Sequence, residues 1–202
     1  MRADTIVKTM AENLANFRDL NDAALLAECR WEAFRGPGPG GQKRNKTSNS
    51  MRLTHLPTGI SVIAGESRSQ SENKMRAVRR LKMRLALEFR RTIDPRAWEP
   101  PPWIEQIRTR PSKDALRLRS GQAPPGAGMR LQISHRHPLY YHFVGQVLDL
   151  LDAQGGNVAS VAGLLGLSTS SVVKFLADDP HLLTTANQLR SASGQGPLSV
   201  RR

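Results

Sequence analysis

Cysteine is nearly absent from the 202 residues: Cys29 stands alone, which excludes an internal disulfide and any multi-cysteine zinc site. Aromatic residues make up only 5% of the chain, too few for the stacked-ring platforms that hold splayed bases. No apolar run approaches the roughly 18 residues that a membrane span needs. The first residues lack the apolar core of a secretory signal, and Asp4, Glu12, Asp19 and Asp22 make them too acidic for a transit peptide. A cytoplasmic address is expected, with no membrane partner. Acidic groups are scarce as well: 17 Asp and Glu stand against 30 Lys and Arg, a formal charge of +13.

What is present is an ordinary apolar fraction of 39%, enough to argue against a wholly disordered chain. The charge is concentrated. Residues 1–29 are net −2, residues 30–119 are net +13, and residues 120–202 are net +2. One segment therefore carries the whole excess. Such a field attracts polyanions, because releasing counterions condensed on phosphates supplies affinity without sequence reading. A solvated face chosen only for solubility is the alternative; nucleic acid fits the concentration better.

Along the chain, Leu14, Phe17, Leu20, Ala24 and Leu25 recur at three and four, the spacing of an amphipathic helix. Cys29, Trp31 and Ala33 then alternate, predicting a strand that runs to Arg35. Met51, Leu53 and His55, a Pro57-Thr58-Gly59 turn, and Ile60, Val62 and Ala64 predict a β-hairpin over residues 50–65. From Ser69 the period changes: Met75, Val78, Leu81, Leu85 and Phe89 read as the apolar stripe of a long helix. Arg76, Arg79, Arg80, Lys82, Arg84, Arg90 and Arg91 occupy its other faces. Seven of the thirteen prolines fall in residues 94–128, together with a basic cluster from Arg108 to Arg119, as in a partly extended linker. Beyond it, Leu139 to Leu151 predicts a helix stopped by Gly155-Gly156. Val158–Leu165 and Val172–Leu176 predict two short helices about Gly166-Leu167, with Ser168 as N-cap.

Gly36-Pro37-Gly38-Pro39-Gly40-Gly41-Gln42 can only be loop. It fits G-x-G-x-x-G formally, but Pro37 and Pro39 lack the backbone N–H groups a pyrophosphate needs, and Lys43-Arg44-Asn45-Lys46 is no apolar helix start. It nearly fits a P-loop, yet Gln42 stands where the phosphate-binding lysine must be. Both nucleotide readings fail, leaving either a plain surface loop or a loop with another task.

Phe34 to Gln42 followed by Asn45-Lys46, then Arg52-Leu53-Thr54-His55-Leu56-Pro57-Thr58-Gly59-Ile60, then Arg68-Ser69-Gln70 and Asn73, together resemble the GGQ domain of class I peptide-chain release factors. They resemble equally the short relatives of that superfamily that rescue stalled ribosomes. The likeness covers about residues 30–90, with Pro37 and Met51 as small departures. It implies a ribosome-dependent peptidyl-tRNA hydrolase, with Gly40, Gly41 and Gln42 as catalytic residues entering the peptidyl-transferase centre. The chemistry agrees. Two glycines let the backbone take φ > 0 and approach a crowded ester. The Gln42 N–H can donate to the oxygen that gains charge, while its amide positions water. Partners implied are large-subunit ribosomal RNA and peptidyl-tRNA, with phosphate contacts from Arg35, Lys43, Arg44, Lys46, Arg52 and Arg68. Gln42 is a candidate for a glutamine methyltransferase. No cofactor is expected, and enzymatic activity is expected only on the ribosome.

Only 35 residues precede the loop here, and no Pro-x-Thr or Ser-Pro-Phe tripeptide of the decoding type occurs, so codon-independent rescue is expected over stop-codon reading. The basic C-terminal tail of rescue factors is poorly matched, with Arg190, Arg201 and Arg202 alone. A ribosome- or RNA-binding factor lacking hydrolysis is the alternative. A DNA-binding regulator is a further one, since Val161 to Ser168 resembles a helix-turn-helix, although Thr169, Ser170, Ser171 and Lys174 offer few base-reading groups. His135, His137 and His142 lack a carboxylate or Cys at ligand spacing, so no metal is expected. The expected class is α+β: a small mixed sheet with the GGQ loop and a long basic helix, then a small all-α helical domain. The expected divisions are a helical lead-in (1–28), the GGQ domain (29–93), a Pro-rich basic linker (94–137), a helix-turn-helix-like domain (138–190) and a tail (191–202).

Overall fold

A computed structural model of the protein describes residues 22–34, 49–109 and 129–198. Two compact units divide the chain, with the boundary between Phe89 and Arg90. In the first, α1 (Asp22–Ala27) leads into β1 (Cys29–Phe34), β2 (Ser50–His55), β3 (Ser61–Ala64) and the long helix α2 (Gln70–Glu88). The sheet has the order β1-β2-β3.

Both pairings are antiparallel, with Trp31 opposite Leu53 and Leu53 opposite Val62. The sheet is therefore antiparallel rather than mixed as expected. A parallel neighbour needs a long crossover, usually a helix laid across one face; here β2 returns to β3 through a tight turn. That turn is closed at both ends by backbone bonds, His55 N–H to the Ile60 oxygen at 2.9 Å and Gly59 N–H to the His55 oxygen at 2.9 Å. Gly59 sits at φ +70°. The His55 ring, fully buried, lies 2.8 Å from Thr58 Oγ1 through Nδ1 and 3.1 Å from Glu28 Oε2 through Nε2. A carboxylate only accepts, so in the neutral ring Nε2 carries the hydrogen and Nδ1 accepts from Thr58.

One sheet face carries Leu53, Val62 and Ala64 against Ala77, Leu81 and Leu85 of α2, with Leu25 of α1 and Ile60 completing the core. Each large aliphatic side chain removed from water contributes roughly 1.5–3 kcal/mol. The hairpin alternation holds throughout, Met51, Leu53 and His55 buried on β2 and Val62 and Ala64 on β3. The stripe on α2 departs from the expected one at Met75, which is 56% exposed. Leu81 and Leu85 are buried together with Asn73, Ala77 and Ala86, and Val78 and Phe89 pack partly buried against the same core. Both sets recur at helical spacing. The small Ala77 lets the helix backbone come close to the sheet, and Asn73 finds backbone partners there, so packing selects that face.

The second unit begins at Arg90. Pro100 and Pro101 precede a 3-10 helix, Pro102–Ile107, that buries Ile104 and Ile107; a proline is compatible with a helix start because its missing N–H has no intrahelical partner there. Strand β4 (Arg108–Thr109) then pairs antiparallel with β5 (Arg130–Leu131). Four helices follow: α3 (Tyr140–Ala153), α4 (Val158–Leu165), α5 (Thr169–Asp178) and α6 (Pro180–Ala192). Helix α3 is the centre, with Phe143, Val147, Leu148 and Leu151 fully buried. Its one buried carboxylate, Asp149, accepts from the Arg91 backbone N–H at 3.0 Å and faces Arg90 Nη1 at 3.4 Å.

Asn157, Ser168 and Asp179 cap α4, α5 and α6. Between α4 and α5 the axis turns by 107°, within the helix-turn-helix range. Gly166 makes that turn at φ +62°, and a Cβ there would stand 3.1 Å from the Arg108 guanidinium carbon, so both backbone and space favour glycine. Helix α5 starts directly after the expected N-cap, Ser168, whose Oγ accepts the Ser171 N–H at 3.2 Å. The His135 ring lies 3.1 Å from Asp178 Oδ2, and His137 Nδ1 accepts the Leu139 N–H at 3.2 Å. No single helix among the described residues is long and apolar enough to cross a membrane.

Candidate functional site

Gly40, Gly41 and Gln42 lie outside the described residues, as do Arg35, Lys43, Arg44 and Lys46; Arg52 and Arg68 lie within them. What the structure describes is the pair of chain ends between which that loop runs. Phe34, the last residue of β1, is directly opposite Ser50, the first of β2. The two ends are thus held at the spacing of neighbouring strands, about 5 Å. Arg52 reaches over this edge: its guanidinium carbon is 5.2 Å from the Phe34 ring centroid, and its Nη1 is 3.3 Å from Glu32 Oε2. Glu32 also pairs with Arg30 at 3.0 Å. A Cβ on Gly65 would stand 2.5 Å from Ser50 Oγ and 3.1 Å from Ser50 Cβ, so the residue after β3 lies tight against the start of β2.

Asn73 completes this base. It is fully buried, and its Nδ2 donates to the Asn49 carbonyl at 2.7 Å and to the Ser67 carbonyl at 2.8 Å. Its Oδ1 accepts the Ser67 N–H at 3.0 Å. Two backbone segments, the entry to β2 and the turn before α2, are joined through one side chain. Sequence reasoning places Asn73 in a motif without giving it a task. The signal is there: a polar amide at i−4 from Ala77 and i−8 from Leu81, on what proves to be the apolar face.

The basic exterior of α2 is largely answered within the unit. Arg76 pairs with Glu72 at 2.6 Å, Arg80 with Glu66 at 2.6 Å, Lys82 with Asp22, and Arg84 with Glu88. Lys74 lies 5.9 Å from the Trp31 ring centroid. Hydrogen bonds from Ser67 and Arg76 hold the Glu72 carboxyl below its ordinary pKa. For Glu66, burial pushes upward, but the Arg80 bond and charge, with backbone N–H groups, bring it below its ordinary value. Both acids are therefore ionised at neutral pH. Exposed pairs of this kind add little stability, but they cancel much of the local field. Arg68 and Arg79 are exposed and make no ion pair among the described residues. Arg68 stands in the turn before α2, while Arg52 belongs to the outer face of the sheet.

Residues 24–114 match the RF-1 domain family. That segment is similar to the domain shared by class I peptide-chain release factors. Relatives agree. Peptide chain release factor 1 of Acidiphilium cryptum (strain JF-5) is 49% identical over 72 residues, 36% of this chain and 20% of that protein. Peptide chain release factor 1 of Lawsonia intracellularis (strain PHE/MN1-00) is 47% identical over 84 residues, 42% of this chain and 23% of the relative. Peptide chain release factor 2 of Paramagnetospirillum magneticum (strain ATCC 700264 / AMB-1) is 48% identical over 59 residues, 29% and 16%. The chain spans about a fifth of the length of these relatives. The RF-1 match contains the whole three-stranded sheet, α2, the 3-10 helix and β4; α3 to α6 lie outside it.

Proposed function

We propose that the protein acts on the ribosome, hydrolysing the ester that joins nascent peptide to tRNA, and that it serves stalled complexes without reading a stop codon. The observation that carries this reading is the RF-1 match over residues 24–114, which spans the glycine loop. The antiparallel frame supports it, since the Phe34–Ser50 pairing and Asn73 hold the ends of the segment containing Gly40, Gly41 and Gln42. In this mechanism the Gln42 N–H donates to the carbonyl oxygen as the tetrahedral intermediate forms, and the side-chain amide orients the attacking water. Developing negative charge then meets a donor already in place. A neutral amide suits the task; a carboxylate would set charge beside charge. Ribosomal RNA and tRNA supply the remaining groups, so the isolated protein is nearly inert toward simple esters. A glutamine methyltransferase acting on Gln42 and a cytoplasmic address belong to the same reading.

Arg35, Lys43, Arg44, Lys46, Arg52 and Arg68 are proposed to dock on ribosomal RNA phosphates, with Arg79 beside them. Arg68→Ala is expected to weaken ribosome binding and to lower the slope of log affinity against log salt by about 1, the share of a single phosphate. Filter binding at several salt concentrations checks it; an unchanged slope removes Arg68 from the interface. Residues 29–93 are proposed as the hydrolytic domain and residues 138–190 as an appended docking module.

The deciding experiment is peptide release from purified ribosomes carrying peptidyl-tRNA, with and without a stop codon in the decoding site. Release in both cases supports rescue, and release only with the stop codon makes the protein a termination factor. Ribosome binding with no release makes it a binding factor. The 107° turn between α4 and α5 favours one further reading, duplex DNA binding, which salt-sensitive binding of the full chain to DNA but not to ribosomes would establish.

A further inference from the structure

We infer that Asn73 is a positioning residue for release: by holding the carbonyl of Asn49, it sets where the chain leaves the Gly40-Gly41-Gln42 loop and enters β2. This rests on the hydrolytic reading above. A buried helix position ordinarily holds an apolar side chain. Asn73 lies one turn before Ala77 on the face of α2 that packs on the sheet, where an aliphatic residue would contribute packing at no hydrogen-bonding cost. An asparagine there is a weak helix former and must find partners for every buried polar atom.

It does so completely on the donor side. Both Nδ2 hydrogens are used, toward Asn49 O at 2.7 Å and Ser67 O at 2.8 Å, and Oδ1 takes the Ser67 N–H at 3.0 Å. All three partners are backbone atoms. The side chain therefore works as a tie between two stretches of main chain 24 and 6 residues away, whatever side chains those stretches carry. Of the two, Asn49 is the first described residue after the segment that contains Gly40, Gly41 and Gln42, and it adjoins the Phe34–Ser50 pair. An amide is required for this geometry. A carboxylate of the same shape keeps an acceptor for Ser67 N–H but sets oxygen against two carbonyl oxygens.

Catalysis by positioned groups is unforgiving of such a change, since a misplacement of about 1 Å can cost on the order of 100-fold in rate. The test compares Asn73→Asp and Asn73→Ala with Leu85→Ala. Leu85 is equally buried on the same helix, makes none of the hydrogen bonds that tie the loop base, and supplies a control for general destabilisation. Single-turnover peptide release from stalled ribosomes is measured below every variant's melting transition. Ribosome affinity, and hydrogen exchange at the Ser50 and Met51 amides, are measured in parallel.

Asn73→Asp is expected to slow release by about tenfold or more with affinity held within about twofold. Asn73→Ala, which removes the tie without adding charge, should slow release in the same direction. Exchange at Ser50 and Met51 should quicken, while Leu85→Ala keeps its release rate. Three results overturn the inference: Asn73→Asp releasing peptide within about twofold of the parent, Leu85→Ala losing as much rate as Asn73→Asp, or unchanged exchange at Ser50 and Met51. If the parent itself releases nothing, the hydrolytic reading falls and positioning for release falls with it. The exchange measurement then still decides whether Asn73 holds the entry to β2.

Discussion

Peptide release by the Gln42→Ala variant is expected to fall by about 10²–10³-fold, the loss usual when one preorganised group is removed from a transition-state site. Alanine keeps the backbone N–H, so the deficit isolates the side-chain amide that orients water. Gln42→Pro removes the N–H as well and is expected to fall further. Ribosome affinity should stay near the parent's in Gln42→Ala, because the phosphate-binding groups are untouched and an interaction realised only in the transition state lowers rate without altering binding. Single-turnover release with peptidyl-tRNA in the ribosome, together with a binding measurement, separates the two quantities. A parent-like rate in Gln42→Ala would remove the chemistry assigned to the loop, and a parallel loss of affinity would make Gln42 a docking residue.

Phe143→Ala is expected to destabilise the second unit by about 3–5 kcal/mol. Phe143 is fully buried in α3, and its ring meets Phe175 edge-on at 4.7 Å between centroids and Trp103 at 6.5 Å. Truncation removes the ring's own transfer energy, two oriented aromatic contacts worth about 0.5–1.5 kcal/mol each, and leaves a cavity that neighbouring rings cannot fill. Tyr140 tightens this case. Its hydroxyl is buried without a hydrogen-bond partner among the described residues, and burial followed by the charges of Asp179 and Asp178 pushes its ionisation well above the ordinary phenol range. It therefore stays neutral, part of the same aromatic cluster. Urea unfolding followed by hydrogen exchange over residues 140–192 reads the destabilisation. A change below about 1 kcal/mol would show that the cluster repacks around the gap.

Local features are legible in the residues themselves. The period-two alternation from Met51 to His55 and from Ile60 to Ala64 places the hairpin, because side chains in a strand must alternate between faces. Ser168 marks the start of α5, and Gly155-Gly156 the end of α3, through chemistry confined to a few neighbouring residues. The glycine loop and its flanking residues point to the release-factor superfamily, and the RF-1 match agrees. Helix α6 also carries a readable start, Asp179 before Pro180, although apolar periodicity alone does not reveal it.

Other features depend on partners far away in sequence. Met75 and Ala77 belong to equally regular helical stripes, and only the closeness of the sheet decides that Ala77 is covered while Met75 is exposed. The charge of the basic segment is countable, but which cations remain unpaired rests on Lys82 reaching Asp22 and Arg80 reaching Glu66. Strand β4 exists because β5 supplies its hydrogen bonds from beyond residue 128. The same holds for Asn73, whose three hydrogen bonds go to main chain that no periodicity reveals. Composition and spacing by themselves determined elements and caps, since those follow from chain-local sterics and patterning. Tertiary structure alone decided which face is buried, which charges are cancelled and what holds the loop's base, since each depends on two segments meeting in space.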